Sequence, residues 1–274
     1  MDLLFYATII LYLLSTAWYI AYLCLQKNRQ FRTGYALLIS GFAVHTIALF
    51  TAMIRSGRFP AQNLHETLSL AGWAVVCAFL VFQHRYQLKI LGVYVAPLAA
   101  VIMVAASKLP REALVAKEIL NNAWLVLHIG TVFIGEASLA LACGVGCLYL
   151  LQEHAIKSKR PGFFFRRLPS LDLLDSAGYA CIVAGFTLVT VGLITGIIYA
   201  KVIWGRFWNW DPKEIWSAIT WLLYAALLHQ RLTVGWRGRK SAIMAIIGFC
   251  VVLFTFLGVN FLLQGHHGEF TQIK

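Results

Sequence analysis

Apolar residues in this 274-residue chain gather into runs of about 17–28, separated by short polar breaks, and a bilayer core takes about 20 helical residues to cross. Eight spans follow, at residues 3–25, 33–54, 67–82, 90–107, 124–151, 176–200, 215–229 and 241–263. The third and seventh are the shortest. Strands cannot face lipid unless they close into a barrel, because hydrocarbon leaves no partner for bare backbone groups. Period-two alternation is absent. The expected fold is all-α, a polytopic transmembrane helical bundle formed by residues 1–274 as one domain.

Composition agrees. Hydrophobic residues make up 60% of the chain and charged residues 12%, about half the usual charged share. That excludes an ordinary soluble enzyme, which needs polar cover for its core, and intrinsic disorder. The formal net charge of +12 fits basic loops on one membrane face, and no stretch has the polar, basic surface of a nucleic-acid module. The breaks after spans one, three, five and seven carry fourteen Lys and Arg, against nine on the other side. The richer side is expected in the cytoplasm, with both termini outside.

The largest cytoplasmic break, residues 152–175, holds Lys157, Lys159, Arg160, Arg166 and Arg167 around Phe163, Phe164 and Phe165. It reads as a basic anchor on the anionic leaflet, with a short interfacial helix over 168–175. The six cysteines all fall in apolar segments, as small core residues rather than a disulfide framework. Asp2 and a long first apolar run argue against a cleaved signal peptide.

The most unusual stretch is the outer break at 201–216. Four of the nine tryptophans, Trp204, Trp208, Trp210 and Trp216, fall between 204 and 216, with Gly205, Asp211 and Pro212 between them. An interfacial belt accounts for one or two tryptophans per helix end, not four in one loop. Such a loop suits a broad, flat, apolar ligand held by area burial and ring stacking. Arg206 and Lys213 are placed to meet carboxylates at its rim. A flat macrocycle with two carboxylates is a porphyrin.

Trp204-Gly205-x-x-Trp208-x-Trp210-Asp211 resembles the tryptophan-rich WWD signature of the haem-handling proteins of cytochrome c biogenesis. The continuation Pro212-Lys213-Glu214 with Trp216 resembles the CcsA (ResC) branch of system II rather than the CcmC or CcmF branches of system I. Leu228-His229-Gln230-Arg231 is similar to that branch's Leu-His-Thr-Arg. Phe256-Leu257-Gly258-Val259-Asn260 with Gly265-His266-His267, and Asn63-Leu64-His65-Glu66, resemble further motifs.

The resemblance implies an outer pair of haem-iron ligands, His128 and His267, with His266 as the fallback for His267. It implies an inner ligand, His229, whose partner ligand comes from a CcsB (ResB)-like membrane protein. Trp204, Trp208, Trp210, Asp211 and Arg206 would hold the macrocycle. Imidazole suits haem iron as an axial ligand. His45 reads as a hydrogen-bonding core residue, and His65 lies on an outer loop. His84 and His154 sit at cytoplasmic ends. Glu136, deep in the fifth span, needs a partner; His45 and the haem path are the alternatives to a satisfied structural role.

The implied activity is that of a cytochrome c synthase (haem lyase-type) complex. It would deliver haem b at the outer face for attachment to the Cys-x-x-Cys-His motif of apocytochrome c, with a thioredoxin-like thiol reductant as a further partner. The implied location is a bacterial plasma membrane with the site facing the periplasm, or a thylakoid. Two competing readings are a b-type electron-transfer subunit and a haem-independent small-molecule transporter.

Overall fold

The computed structural model describes residues 2–110, 123–159 and 162–262. The regular structure of these residues is helical throughout. Eight long helices run as α1 (Asp2–Leu25), α2 (Asn28–Ser56), α3 (Leu64–Tyr86), α4 (Gly92–Ser107), α5 (Ala123–Lys157), α6 (Leu171–Trp204), α7 (Pro212–His229) and α8 (Arg239–Leu253). A single turn, α9 (Val259–Leu262), ends the described chain. Two π-helical turns interrupt the regular pattern, Gln230–Val234 after α7 and Phe254–Gly258 after α8. Such turns are rare and concentrate at functional sites.

Seven helices are long and apolar enough to cross a membrane, the last of them taking α8 together with its π-turn. The protein is therefore an integral membrane helical bundle. The exception is α7. Its 18 residues open with Pro212, Lys213 and Glu214, so the seventh expected span forms a helix but falls short in apolar content. Two local expectations need correcting. The segment 168–175 is not a separate helix: Ser170 caps α6 by accepting a hydrogen bond from Leu173 N, and the helix runs on unbroken from Leu171. The aromatic break is shorter than 201–216, because α6 extends through 204 and α7 starts at Pro212.

The most extensive helix pair is α5 with α6. Small residues set its closeness: a β-carbon at Gly135 would stand 2.9 Å from Val189 N, and one at Gly185 would stand 3.0 Å from Gly135 O. Backbone to backbone packing of this kind leaves no space for a side chain. α1 pairs with α2 and α4, α3 with α4 and α5, and α8 with α5.

Several polar residues inside this bundle are matched, although the buried Tyr19 and Tyr224 hydroxyls find no partner among the described residues. His45 is fully buried; Tyr12 Oη lies 3.2 Å from its Nδ1 and Ser69 Oγ lies 3.0 Å from its Nε2. Both ring nitrogens are thus engaged, which fixes its core role and leaves it unavailable to Glu136. The Asn63–Glu66 motif is a helix start. Asn63 Oδ1 accepts from Glu66 N, and the Glu66 carboxylate accepts from Gln62 N and from both terminal nitrogens of Arg58. Within the basic loop, Arg167 donates to Leu23 O and Cys24 O at the C-terminal end of α1. The six cysteines are free thiols.

Candidate functional site

His128 sits near the start of α5 and faces α6. Its Nδ1 lies 2.8 Å from Gly192 O. A carbonyl only accepts, so Nδ1 carries the proton and the lone pair belongs to Nε2. That is the tautomer a metal-binding histidine needs, with the second nitrogen oriented by a backbone carbonyl. The ring also lies against Gly196, where a β-carbon would stand 2.7 Å from Cε1. Trp124, one turn earlier, donates from Nε1 to Thr195 O at 2.9 Å. Gly196 precedes the end of α6 by eight residues, about 12 Å of helix, so α6 links His128 to the aromatic loop.

The loop itself is non-helical over 205–211. Gly205 ends α6 in the left-handed region at φ 72°, with its N–H on Lys201 O. The Lys201 ammonium donates to Gly205 O at 2.8 Å and lies 5.2 Å from the Phe207 ring centre. Trp210 also has a positive φ, 58°, a costly conformation for a bulky residue and a kind of strain that clusters at functional sites. It carries its indole into the open, 75% exposed. Trp208 meets it edge to face at 6.0 Å. Arg206 and Phe207 are exposed as well.

Asp211 behaves differently from the tryptophans. It is 4% exposed and caps α7: Oδ1 accepts from Lys213 N at 2.9 Å, while Glu214 Oε2 accepts from Asp211 N and Asn209 N. This is a capping box with Pro212 in the first turn. The loop thus divides its labour. Aromatic and basic residues are presented outward, and the acidic residues fix the chain beneath them.

The end of α8 reaches the same region. Phe254 packs on Trp216 with ring centres 4.4 Å apart, and Phe256 meets Phe133 of α5 at 5.8 Å. Thr255 and Thr220 pair at 3.0 Å. The end of α8 therefore packs against both α5 and α7, and the aromatic loop leads directly into the start of α7. His266 and His267 follow in sequence and lie outside the described residues, as does the side chain of Trp204. Trp221 belongs to the packing instead, stacked on Phe186 and donating to Thr190 Oγ1. Glu136 lies two turns beyond His128 on α5.

His229 is at the opposite end of α7, some 18 residues from Asp211, about 27 Å along the helix. It is exposed, and its ring makes no hydrogen bond among the described residues. Two residues on, Arg231 forms a two-point ion pair with Asp175 of α6. No local pattern signals this pairing, because 56 positions separate the partners.

The family profile described as "Cytochrome C assembly protein" matches residues 61–267. The "Cytochrome c biogenesis protein CcsA" of Guillardia theta is 33% identical over 256 residues, covering 86% of this chain and 85% of its own length. The protein of the same name from Chlamydomonas reinhardtii is 37% identical, with 78% of this chain and 61% of its own length covered. Among solved structures, the "Cytochrome c Heme Lyase CcmF" shares the fold at a TM-score of 0.66 and 18% identity. That likeness covers 98% of this chain and 48% of that one, so the chain spans about half the length of its structural neighbour. By profile and by identity over most of its length, the chain belongs to the cytochrome c assembly protein family, among relatives of the CcsA type.

Proposed function

We propose that the chain is the haem-handling subunit of a system II cytochrome c synthase, acting with a CcsB-like membrane partner. Membership of the family makes cytochrome c biogenesis its setting. The observation that carries the finer reading is His128. Its Nδ1–H is committed to Gly192 O, and it stands at the end of the bundle that also presents Trp208, Trp210 and Arg206.

In this reading His128 and His267, with His266 in reserve, hold haem iron at the outer face, and His229 receives haem first from the inner side. Trp204, Trp208 and Trp210 grip the macrocycle, Arg206 meets a propionate, and Asp211 holds the loop in place from below. Attachment adds each apocytochrome thiol across a haem vinyl group. A carbon–sulfur bond forms, the thiol proton goes to the neighbouring vinyl carbon, and no net electron transfer occurs. Thiols and iron must arrive reduced, the thiols through a thioredoxin-like donor. The two imidazoles occupy the iron until the histidine of the Cys-x-x-Cys-His motif replaces one of them. Orientation supplies the catalysis. The excess of Lys and Arg on one side supports a topology with the aromatic loop and both termini outside, in a bacterial plasma membrane or a thylakoid.

The test is co-purification with a CcsB-like partner, with oxidised and reduced spectra of the parent and of His128→Ala, His267→Ala and His229→Ala. A b-type spectrum that weakens or shifts with the outer substitutions, and cytochrome c maturation that fails with His229→Ala, is the expected result. A haem-free complex whose three variants still mature cytochrome c returns the transporter reading. Tightly held haem of one stable potential, indifferent to apocytochrome, returns the electron-transfer reading.

A further inference from the structure

At the inner end of the bundle, one carboxylate ties three helices together beside His229. Asp175, near the start of α6, accepts from Arg231 Nη1 at 2.9 Å and from Nη2 at 2.7 Å. Gly238 N, at the start of α8, donates to the same Oδ1 at 2.8 Å. The Arg231 guanidinium lies 4.4 Å from the Tyr179 ring centre and 3.4 Å from Ser241 Oγ. Both charged side chains are largely buried, 9% exposed for Arg231 and 16% for Asp175.

The place of this clasp matters more than its strength. Arg231 lies in the π-turn Gln230–Val234, which begins at the residue after His229. A π-turn is a rare departure from the regular α-helical pattern, and here it is tied to its surroundings by tertiary contacts. The forked pair to α6 and the amide from α8 are such contacts. His229 has no orienting hydrogen bond of its own among the described residues, so its position is inherited from the backbone that the clasp holds. A lysine at 231 would keep the charge but not the planar two-point fork.

We propose that the Asp175–Arg231 clasp, closed by the Gly238 amide, is the positioning element that sets where the end of α7 presents His229 to haem. The proposal rests on the reading of His229 as the inner ligand.

The experiment uses the full chain co-purified with its CcsB-like partner in a His128→Ala/His267→Ala background, so that retained haem reports the inner station. Haem per protein, the ferric spectrum and the thermal midpoint are measured for Asp175→Asn and Arg231→Lys. In Arg231→Lys, retained haem falls about tenfold, as for loss of a residue that orients a metal ligand. The low-spin signal gives way to high spin, while the thermal midpoint stays near the parent's. Added imidazole, a ligand that needs no placement, restores the low-spin signal. Unchanged haem and spectrum in both variants overturn the proposal. So does a loss of haem that only follows loss of folded protein and resists imidazole, since the pair then merely holds the fold. A spectrum unchanged by His229→Ala in the same background removes the inner station, and this inference with it.

Discussion

The imidazole of His128 packs against the bare α-carbon of Gly196, where a β-carbon would stand 2.7 Å from Cε1 and 3.0 Å from Nδ1. Gly196 therefore keeps the ring where Gly192 O can orient it. Gly196→Ala separates helix stability from ligand placement. Alanine favours the helix by about 1 kcal/mol over glycine, yet its methyl displaces the ring. The helix gain offsets part of the overpacking cost of about 1–3 kcal/mol, so the expected outcome is a small change in thermal midpoint with haem retention at the outer site down about tenfold. Heating curves and haem-to-protein ratios on the same preparations check it.

Asp211 and Trp210 adjoin in sequence but differ in role, and substitution should separate them. Asp211→Ala loses a helix cap and costs about 1 kcal/mol of stability, while Asp211→Asn and Asp211→Ser, which also cap, keep most of it. Both capping variants should sustain cytochrome c maturation. Trp210→Ala leaves the thermal midpoint near the parent's, because the indole is largely exposed, but lowers haem retention. Equal haem loss in the asparagine and alanine variants would instead mean that the carboxylate touches haem.

His45→Leu strands a buried tyrosine hydroxyl and a buried serine hydroxyl. Each unpaired group costs about 1–3 kcal/mol, so unfolding in detergent should come at clearly lower temperature. The haem spectrum of the surviving protein should match the parent's. A changed spectrum would make His45 a haem-site residue after all.

Gly258→Ala tests the π-turn at the end of α8. A β-carbon there would stand 2.6 Å from Phe254 Cδ2, and Phe254 leans on Trp216. Overpacking of this kind typically costs about 1–3 kcal/mol. Tryptophan emission should shift along with the stability loss if the Phe254 ring is pushed off Trp216.

Much of the bundle was legible because lipid imposes a length and a composition on every crossing. The expected limits of 3–25 and 90–107 fall within two residues of α1 and α4. The ends of α5 and α6 ran further than expected, since polar residues such as Glu153 and Asp172 continue a helix past its apolar stretch. A pattern of hydropathy cannot see that continuation. Ser170, Asp211 and Glu214 are residue types that mark helix starts, and they cap α6 and α7. The Asp175–Arg231 and Arg167–Leu23 links had no local signal, because their partners are far apart in sequence. The π-turns had none either: Gly235 beyond one and Gly258 within the other are unremarkable in composition.

The capping box has a mechanical consequence. The backbone amides of Asn209, Asp211 and Lys213 are all tied to the carboxylates of Asp211, the cap of α7, and Glu214 in its first turn. Trp208 and Trp210 therefore overhang from α7 like a bracket bolted to one beam. A tilt of that helix, wherever along its length it starts, swings the two indoles with it. His229 stands at the far end of the same beam.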